Sequence, residues 1–335
     1  MEAGHERQTI VGVGSALMDI LVQEDDEFLA RANAPKGGMI LVDADRVDRV
    51  QKEARSTPVM VPGGSACNTI VGVARLARLA GTDPVDPRFV GRRGSDRIGE
   101  SFEGGLRSDG IRTFLAQSAT PTGRVLSIVS PDAQRSMLTF LGASAEFAAA
   151  DLSPDQFEGA SIVHIEGYLA YSPELITAVM KRGREAGARV SLDLASYTVV
   201  DACRGLLADI VSRFVDILIA NEEEARAFVG ESDETKALLA LAARAPMAVL
   251  KIGKRGSLVR TAGVTTRIAP MGDGRVVDTT GAGDCWAAGF MFGLLMGYPV
   301  ERCGILASAC GWEVCRVLGA HIPDEGWERI RAWLP

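Results

Sequence analysis

The residues best suited to chemistry lie in a glycine-rich string in the last third of the chain. It reads Asp-Thr-Thr-Gly-Ala-Gly-Asp from Asp278 to Asp284 and runs directly into an apolar stretch. This spacing predicts a tight turn that opens a helix. The free N–H groups of Gly281, Ala282 and Gly283 would then converge with the positive end of the helix dipole. Such a turn would bind an anion and suits a phosphoryl group in transfer.

Asp284 falls at the start of that helix, with its carboxylate beside the expected anion. A carboxylate that faces an anion is electrostatically unfavourable, and accepting the proton of an attacking hydroxyl would account for it. An aspartate can also simply cap a core helix, and for Asp284 taken by itself the two interpretations are equally good. The whole string favours the catalytic interpretation.

A second group of residues could bind hydroxyls. Gly63, Gly64 and Asn68 share the segment Pro-Gly-Gly-Ser-Ala-Cys-Asn, where glycine lets backbone approach a polyol and asparagine can both donate and accept. A glycine turn at a helix start explains that segment equally well. Asp19 could accept hydrogen bonds from two neighbouring hydroxyls, although the residues alone favour an exposed turn aspartate there.

Length and charge restrict the kind of partner. The 335 residues suggest two domains, or one large domain with an insertion. With 36 basic and 43 acidic residues the net charge is −7, which argues against binding to nucleic acid or a membrane surface. Six cysteines without CxxC spacing predict a reducing compartment rather than a zinc site. Residues 1–8 contain no signal-peptide core, so a cytoplasmic protein is expected.

The elements that must position these residues follow two secondary-structure patterns. From about residue 160, apolar runs alternate with helical patterns, which predicts βαβ units and a parallel sheet covered by helices. Two strand-rich pieces, 19–45 and 111–142, interrupt this rhythm and predict a small β-lid over the carboxyl edge of the sheet, where open α/β folds bind ligands. The large domain would then comprise residues 1–18, 46–110 and 143–335.

The glycine string resembles the C-terminal signature of the PfkB, or ribokinase-like, carbohydrate kinase family. That family's Gly-Gly…Asn substrate segment, first signature and Asn-x-x-Glu motif resemble residues 62–68, 91–99 and 221–225. The matches run from about residue 11 to 319. The resemblance implies an α/β protein, a ribokinase-like three-layer α/β/α sandwich with a mainly parallel central sheet and a small β-sheet lid.

The resemblance also implies an enzyme, a phosphotransferase that uses ATP and Mg²⁺ to phosphorylate a hydroxymethyl group. Asp284 would be the base, Asn221 would help to position the phosphates, and Glu224 would orient Mg²⁺ through water. Asn221 and Glu224 share one face of a helix turn, as residues i and i+3 do, and a capped, solvated helix start is the structural alternative. The resemblance allows a monovalent cation such as K⁺ near the strand before Asp278.

The segment from Lys251 to Gly256 resembles the family's Thr-x-Gly-x-x-Gly nucleotide loop, with lysine where threonine is common. Lys251, Gly253 and Gly256 are expected to bind the nucleotide. The two glycines would form the floor of the ATP site, and the specific role of Lys251 stays open. A different nucleotide site is not expected, because the chain has no Gly-Lys-Ser/Thr P-loop. Leu17 also replaces the third glycine of a dinucleotide fingerprint that begins at Gly12.

Within the family, the acceptor side is similar to the adenosine kinase branch. Leu17 stands where ribokinase-type sugar kinases carry asparagine, Arg135 matches a lid arginine of that branch, and Tyr168 falls where an aromatic ring meets the purine. An aromatic residue after a strand is more often just core. Leu17, Met39, Ile40 and Tyr168 are predicted to form an apolar pocket for a base. Ser15 departs from the branch, which often has asparagine at that position.

These observations favour a kinase of purine salvage that phosphorylates the 5′-hydroxyl of a nucleoside, with adenosine as the expected substrate. A sugar kinase acting on ribose, fructose or a keto-deoxy sugar is the alternative within the same fold. A non-catalytic nucleoside-binding protein is the alternative from another class, and an intact Asp284 with its anion site argues against it. The chain is expected to be a monomer or a homodimer formed through the lid.

Overall fold

The computed structural model describes residues 8–81, 85–132 and 134–334. The first seven residues, which entered the prediction of a chain without a signal peptide, lie outside the described residues. Within these ranges, no helix combines the length and apolar character needed to cross a membrane.

The elements alternate as the sequence predicts over most of the chain. The strands are β1 (Gln8–Val13), β2 (Leu17–Gln23), β3 (Met39–Leu41), β4 (Val59–Gly63), β5 (Val85–Gly94), β6 (Arg112–Ser118), β7 (Gly123–Val129), β8 (Arg135–Phe140), β9 (Ala160–Glu166), β10 (Arg189–Asp193), β11 (Ile217–Asn221), β12 (Met247–Lys251), β13 (Ser257–Thr261) and β14 (Val264–Ile268). The helices are α1 (Asp26–Arg31), α2 (Ala44–Glu53), α3 (Ser65–Leu79), α4 (Arg97–Ser108), α5 (Pro173–Glu185), α6 (Tyr197–Phe214), α7 (Glu222–Val229), α8 (Glu234–Ala242), α9 (Ala282–Leu295), α10 (Val300–Cys315) and α11 (Asp324–Arg331).

The large sheet has the strand order β14-β13-β12-β11-β10-β9-β1-β5-β6 among the described residues. All neighbours are parallel except β12–β13 and β13–β14. Helices α3, α4, α9, α10 and α11 contribute to the core on one face, and α5 to α8 to the core on the other. Strands such as β1 are almost continuously apolar because both of their faces are covered. This is the predicted three-layer sandwich with a mainly parallel sheet.

The second sheet has the order β3-β8-β7-β2-β4, and α1 and α2 pack on one of its faces. The sequence analysis expected only short strands around a turn in residues 19–45 and missed both helices. Asp25 and Asp43 cap them, each accepting a hydrogen bond from the backbone N–H three residues later. The acidic stretch therefore starts helices rather than forming a loop.

Strand pairing also departs from the predicted division of the chain at two places. Residues 46–63 were assigned to the large domain, but β4 pairs antiparallel with β2 in the second sheet. Residues 111–142 were assigned to the lid, but β6 pairs in parallel with β5 at the edge of the large sheet. Both pairings join segments distant in the chain, so local patterns do not reveal them.

The C-terminal part differs from the sequence prediction in where its helices and strands end. The helix predicted from Gly283 ends at Leu295, and Gly297, with φ of +70°, turns the chain into α10. Helix α9 packs tightly on α10, because a Cβ on Gly289 would lie 2.7 Å from the Cα of Ala307. In the described residues β14 ends at Ile268 and no strand directly precedes Asp278, contrary to the strand expected there.

Candidate active site

Polar side chains occupy the last position of four adjacent parallel strands. Strands β9, β10, β11 and β12 end on Glu166, Asp193, Asn221 and Lys251. Because parallel strands direct their carboxyl ends to one edge of the sheet, these groups face the same space. The chain passes directly from β1 into β2, so the second sheet starts at this edge as well.

The glycine string forms the predicted turn at the start of α9. Gly281 has φ of +71°, and a Cβ there would lie 2.5 Å from the Cβ of Ala320, so the position requires glycine. Asp278 holds the turn: one oxygen accepts from the N–H and hydroxyl of Thr280, at 2.9 and 2.8 Å. The other oxygen accepts from the Gly319 N–H at 2.9 Å. From the sequence Asp278 is only the first residue of the motif. In the structure its carboxylate stabilises the turn through these three hydrogen bonds.

The anion-binding N–H groups differ in one position from the prediction. The Ala282 N–H donates to the carbonyl of Thr279 at 3.1 Å, a bond that tightens the first turn of the helix. Within the described residues, the N–H groups of Gly281 and Gly283 have no such acceptor and stay available for an anion.

The carboxylate of Asp284 is fixed by two side chains from the start of α3. The Ser65 hydroxyl donates to Oδ1 at 2.8 Å, and the Asn68 amide donates to Oδ2 at 2.9 Å. Burial raises the pKa of Asp284 above its ordinary value, while the bonds from Asn68 and Ser65 oppose that rise. A buried carboxylate with a raised pKa is a stronger proton acceptor than a free one. The sequence analysis missed Ser65 because it is part of a helix start.

Asp19 lies on β2 in the second sheet, and its side chain is buried. Burial raises its pKa to about 6; Arg135 opposes this rise and Asp284 adds to it. A Cβ on Gly63 would lie 2.4 Å from the carboxyl carbon of Asp19. Gly64 has φ of +99°, and a Cβ there would lie 2.3 Å from the carbonyl oxygen of Ser15. The two glycines are therefore required by close neighbours, and one of those neighbours is the predicted substrate carboxylate.

Replacing Gly63 with alanine should raise the acceptor KM by about tenfold or more, because the new methyl group must displace the Asp19 carboxylate. Steady-state kinetics with varied acceptor measure the effect, and the KM for ATP should stay within about threefold. Gly104→Ala on α4 is the matched control, since a Cβ there meets nothing within 4 Å. An unchanged acceptor KM in the Gly63 variant would separate this glycine from acceptor binding.

Glu166 is a site residue that the sequence analysis missed. Its carboxylate accepts from the backbone N–H of Ser15 at 2.8 Å and from that of Ala66 at 3.1 Å. A Cβ on Gly14 would lie 2.3 Å from Oε2 of Glu166. This single buried side chain joins the loop after β1 to the start of α3. A charged residue that ends a buried apolar strand is the one signal that could have identified it.

The predicted pocket for a base is only partly assembled. Tyr168 follows β9 and is 40% exposed, and Leu17 begins β2 beside Gly123 of β7. Strand β3 lies at the far edge of the second sheet, three strand spacings from β2, which is about 14 Å. Ile40 packs into the core beneath α1 and α2, so it does not belong to the pocket. Met39 is 47% exposed at that edge.

Arg135 is the first residue of β8, where it pairs with Val129 of β7. Its charge lowers the pKa values of both Asp19 and Tyr168, although burial leaves both raised overall. The guanidinium therefore faces the same space as these two groups. The assignment of Arg135 as a lid arginine that binds substrate stays a prediction.

On the opposite side, Asn221 and Glu224 bind each other. The Asn221 N–H and amide donate to the two carboxylate oxygens of Glu224, at 2.8 and 2.6 Å, and the Glu224 N–H donates to Asn221 at 2.9 Å. Glu224 is 2% exposed, and burial, with the Asp193 charge, raises its pKa to about 7. The pair is thus a capped helix start, but a buried one rather than a solvated one.

No group of three or more His, Cys, Asp or Glu residues in the described ranges is arranged to hold a metal ion. Mg²⁺ often keeps several waters and is bound by one or two carboxylates together with substrate phosphates. Glu224 is buried, and the Asp193 charge raises its pKa. It fits a water-mediated contact with Mg²⁺ of this kind. The nucleotide loop next to it turns at Gly253 and Gly256, with φ of +54° and +94°.

Comparisons with known proteins agree with this architecture. The model of the pfkB family carbohydrate kinases matches residues 31–326. Adenosine kinase from Saccharomyces cerevisiae is 28% identical over 313 residues, which cover 87% of this chain and 90% of that protein. A 5-dehydro-2-deoxygluconokinase from Geobacillus thermodenitrificans is 28% identical over 283 residues, 79% of this chain and 82% of that protein. The crystal structure of adenosine kinase from Sinorhizobium meliloti superposes with a TM-score of 0.87 at 29% identity, covering 98% of this chain and 100% of that one.

Proposed function

The chain belongs to the pfkB family of carbohydrate kinases, and from that premise we propose that it transfers the γ-phosphoryl group of ATP to the 5′-hydroxyl of a purine nucleoside, with adenosine as the expected acceptor. The observation that carries the proposal is the pair of carboxylates on opposite sides of one space. Asp284 is held at the start of α9 by Ser65 and Asn68. Asp19 comes from the second sheet, and it is near enough to Asp284 for the Asp284 charge to raise its pKa.

In this proposal Asp19 binds ribose hydroxyls together with the backbone at Gly63 and Gly64, which places the 5′-hydroxyl at Asp284. The hydroxyl oxygen forms a bond to the γ-phosphorus, the bond between that phosphorus and the β–γ bridging oxygen breaks, and the hydroxyl proton passes to Asp284. ADP leaves. The N–H groups of Gly281 and Gly283 stabilise the charge on the phosphoryl oxygens. Bound Mg²⁺ would neutralise the ATP phosphates and would be reached through water by Glu224.

The choice of a nucleoside rests on Leu17 and Tyr168 beside this site and on the adenosine kinases among the relatives. We also propose the cytoplasm as the place of action, where the six unpaired cysteines would stay reduced. A sugar kinase is the second candidate. Two observations favour it: a relative that is a 5-dehydro-2-deoxygluconokinase, and the absence of Ile40 from the base pocket.

An acceptor panel tests the proposal directly. ADP release is measured with adenosine, guanosine, inosine, ribose, fructose and 5-dehydro-2-deoxygluconate at one ATP concentration. We expect kcat/KM for adenosine to exceed that for ribose or fructose by at least about 100-fold, because stacking and burial of a purine contribute several kcal/mol. Turnover of the sugars without any nucleoside would establish the sugar kinase. Tight nucleoside binding without ADP release from any acceptor would establish a binding protein.

A further inference from the structure

Lys251 is a buried cation of the predicted nucleotide site, and the sequence leaves its specific role there open. It ends β12, and its side chain is only 16% exposed. The ammonium donates to Oδ2 of Asp193, the last residue of β10, at 2.8 Å. Burial opposes its charge, but Asp193 and Glu224 outweigh burial and raise the pKa of Lys251. It is therefore charged at neutral pH.

The position of this ammonium relative to α9 is the informative feature. A Cβ on Gly283 would lie 3.0 Å from Nζ of Lys251, which is the nearest atom outside the adjacent residues and the backbone of α9. Gly283 supplies one of the N–H groups at the helix start that stay available for an anion. The ammonium therefore lies directly against the anion site. It also lowers the pKa of Asp284, which burial raises overall.

Asp193 is well fixed. Its Oδ2 accepts from Lys251, and its Oδ1 accepts from the backbone N–H of Ala195 at 3.0 Å. An ammonium has three N–H donors, so the bond to Asp193 leaves two for another acceptor. The carboxylates that face Lys251 are Asp193, Glu224 and Asp284. The Lys251 charge is already paired with Asp193, and Asp284 lies nearby, so the ATP phosphates would need cations close to them here. Bound Mg²⁺ would supply one, and the Lys251 ammonium is a second, fixed one.

We propose that Lys251 donates to the transferring phosphoryl group, and that Asp193 is a positioning residue that holds the ammonium over the first turn of α9. This inference rests on the proposed phosphoryl transfer from ATP but not on the identity of the acceptor. Lys251 stays protonated throughout, while the hydroxyl proton passes to Asp284 and ADP leaves. Its contribution is a fixed positive charge where the transition state spreads negative charge over the phosphoryl oxygens.

The alternative is that Lys251 only neutralises the buried Asp193. Removing one partner of a buried ion pair leaves an uncompensated charge, whereas removing both can be neutral or stabilising. The variants Lys251→Met, Asp193→Asn and their combination therefore distinguish the two roles. Lys181→Met on α5, an exposed lysine, is the matched control for loss of a lysine charge.

The full-length variants are assayed for kcat, for the KM of ATP and of the acceptor, for ADP affinity and for thermal unfolding. We expect Lys251→Met to lower kcat by about 10²- to 10³-fold, with ADP affinity and acceptor KM within about threefold. Asp193→Asn should lower kcat by about tenfold. The double variant should unfold at or above the temperature of Lys251→Met yet remain as slow. Recovery of kcat to near wild type in the double variant would overturn the proposal, as would unchanged turnover in Lys251→Met.

Failure of the proposed function is distinguishable from failure of this inference. If the acceptor panel identifies a sugar, the same variants are assayed with that sugar, and the expected loss in kcat is unchanged. If Lys251→Met is too unstable to assay, the double variant carries the test, because it contains no unpaired charge at this position. Wild-type turnover in that double variant would then remove Lys251 from phosphoryl transfer whatever the acceptor.

Discussion

Replacing Asp284 with asparagine should lower kcat by about 10²- to 10⁴-fold, the contribution expected of a general base, while ATP affinity changes by less than about threefold. Asparagine has nearly the same shape but cannot accept the hydroxyl proton. Its carbonyl oxygen can still accept from Ser65 or Asn68, and the Asn68 amide can rotate to accept from the new amide. The loss should therefore reflect chemistry rather than folding, and thermal unfolding checks this.

Two variants make the Asp284 experiment specific. Asp155→Asn, at an exposed position, makes the same chemical change away from the site and should leave kcat unchanged. Ser65→Ala removes one of the two hydrogen bonds to the Asp284 carboxylate and should lower kcat by about tenfold, the value of one hydrogen bond to a charged group. Turnover of Asp284→Asn within about tenfold of wild type would exclude Asp284 as the base.

The large sheet could be predicted because its signals are local. Strands such as β1 and β12 are short apolar runs buried on both faces, and each parallel pair requires a helix between its strands. The start of α9 was also local, since Gly281 sets the turn and the apolar run follows it. The second sheet was harder because its pairings are distant: β2 pairs with β7, about a hundred residues later. Its helices begin at capping aspartates that resemble turn residues.

The same distinction applies to the candidate site: residues in local motifs could be predicted, and residues whose importance depends on distant neighbours could not. Asp284, Gly63 and Gly64 belong to motifs, and in the structure they lie near the junction of the two sheets; their roles stay predictions. Glu166 and Asp193 belong to no motif; each is a single acid at the end of a buried strand. Their importance comes from neighbours in adjacent strands, such as the pairing that sets Asp193 beside Glu166. The position of Ile40 was wrong for a related reason, because the face of a short strand depends on which sheet neighbour fixes its register.

Replacing Asp19 with asparagine should raise the stability of the protein at neutral pH and lower its activity toward the acceptor. The Asp19 pKa of about 6 in the folded protein, against 3.8 for an ordinary aspartate, means that the folded state binds the proton more tightly. The stability contributed by protonated Asp19 is therefore complete below about pH 4 and is lost as the pH rises through about 6. By pH 7 the ionised carboxylate costs the folded state about 3 kcal/mol.

Asp19→Asn removes that ionisation. Unfolding by denaturant should find the variant close to wild type at pH 4 and more stable by up to about 3 kcal/mol at pH 7, with the difference growing between these values. Asp132→Asn is the control of opposite sign. Hydrogen bonds from Ser130 and Lys36 lower the pKa of Asp132 to about 2, so its loss should weaken the protein at neutral pH and matter less as the pH falls toward 2.

The same Asp19→Asn variant should lose about 100-fold in kcat/KM for the acceptor, since hydrogen bonds to a charged group contribute about 1.5–3 kcal/mol. The KM for ATP should be nearly unaffected, because Asp19 lies on the second sheet and the nucleotide loop follows β12. Wild-type kcat/KM for the acceptor should decrease as the pH is lowered below about 6, where Asp19 becomes protonated. The variant should lack this pH dependence. A carboxylate kept ionised in a buried position at the expense of stability is expected where a ligand requires its charge. A stability difference that is flat between pH 4 and 7, or an unchanged acceptor kcat/KM, would show that Asp19 is not held in this way.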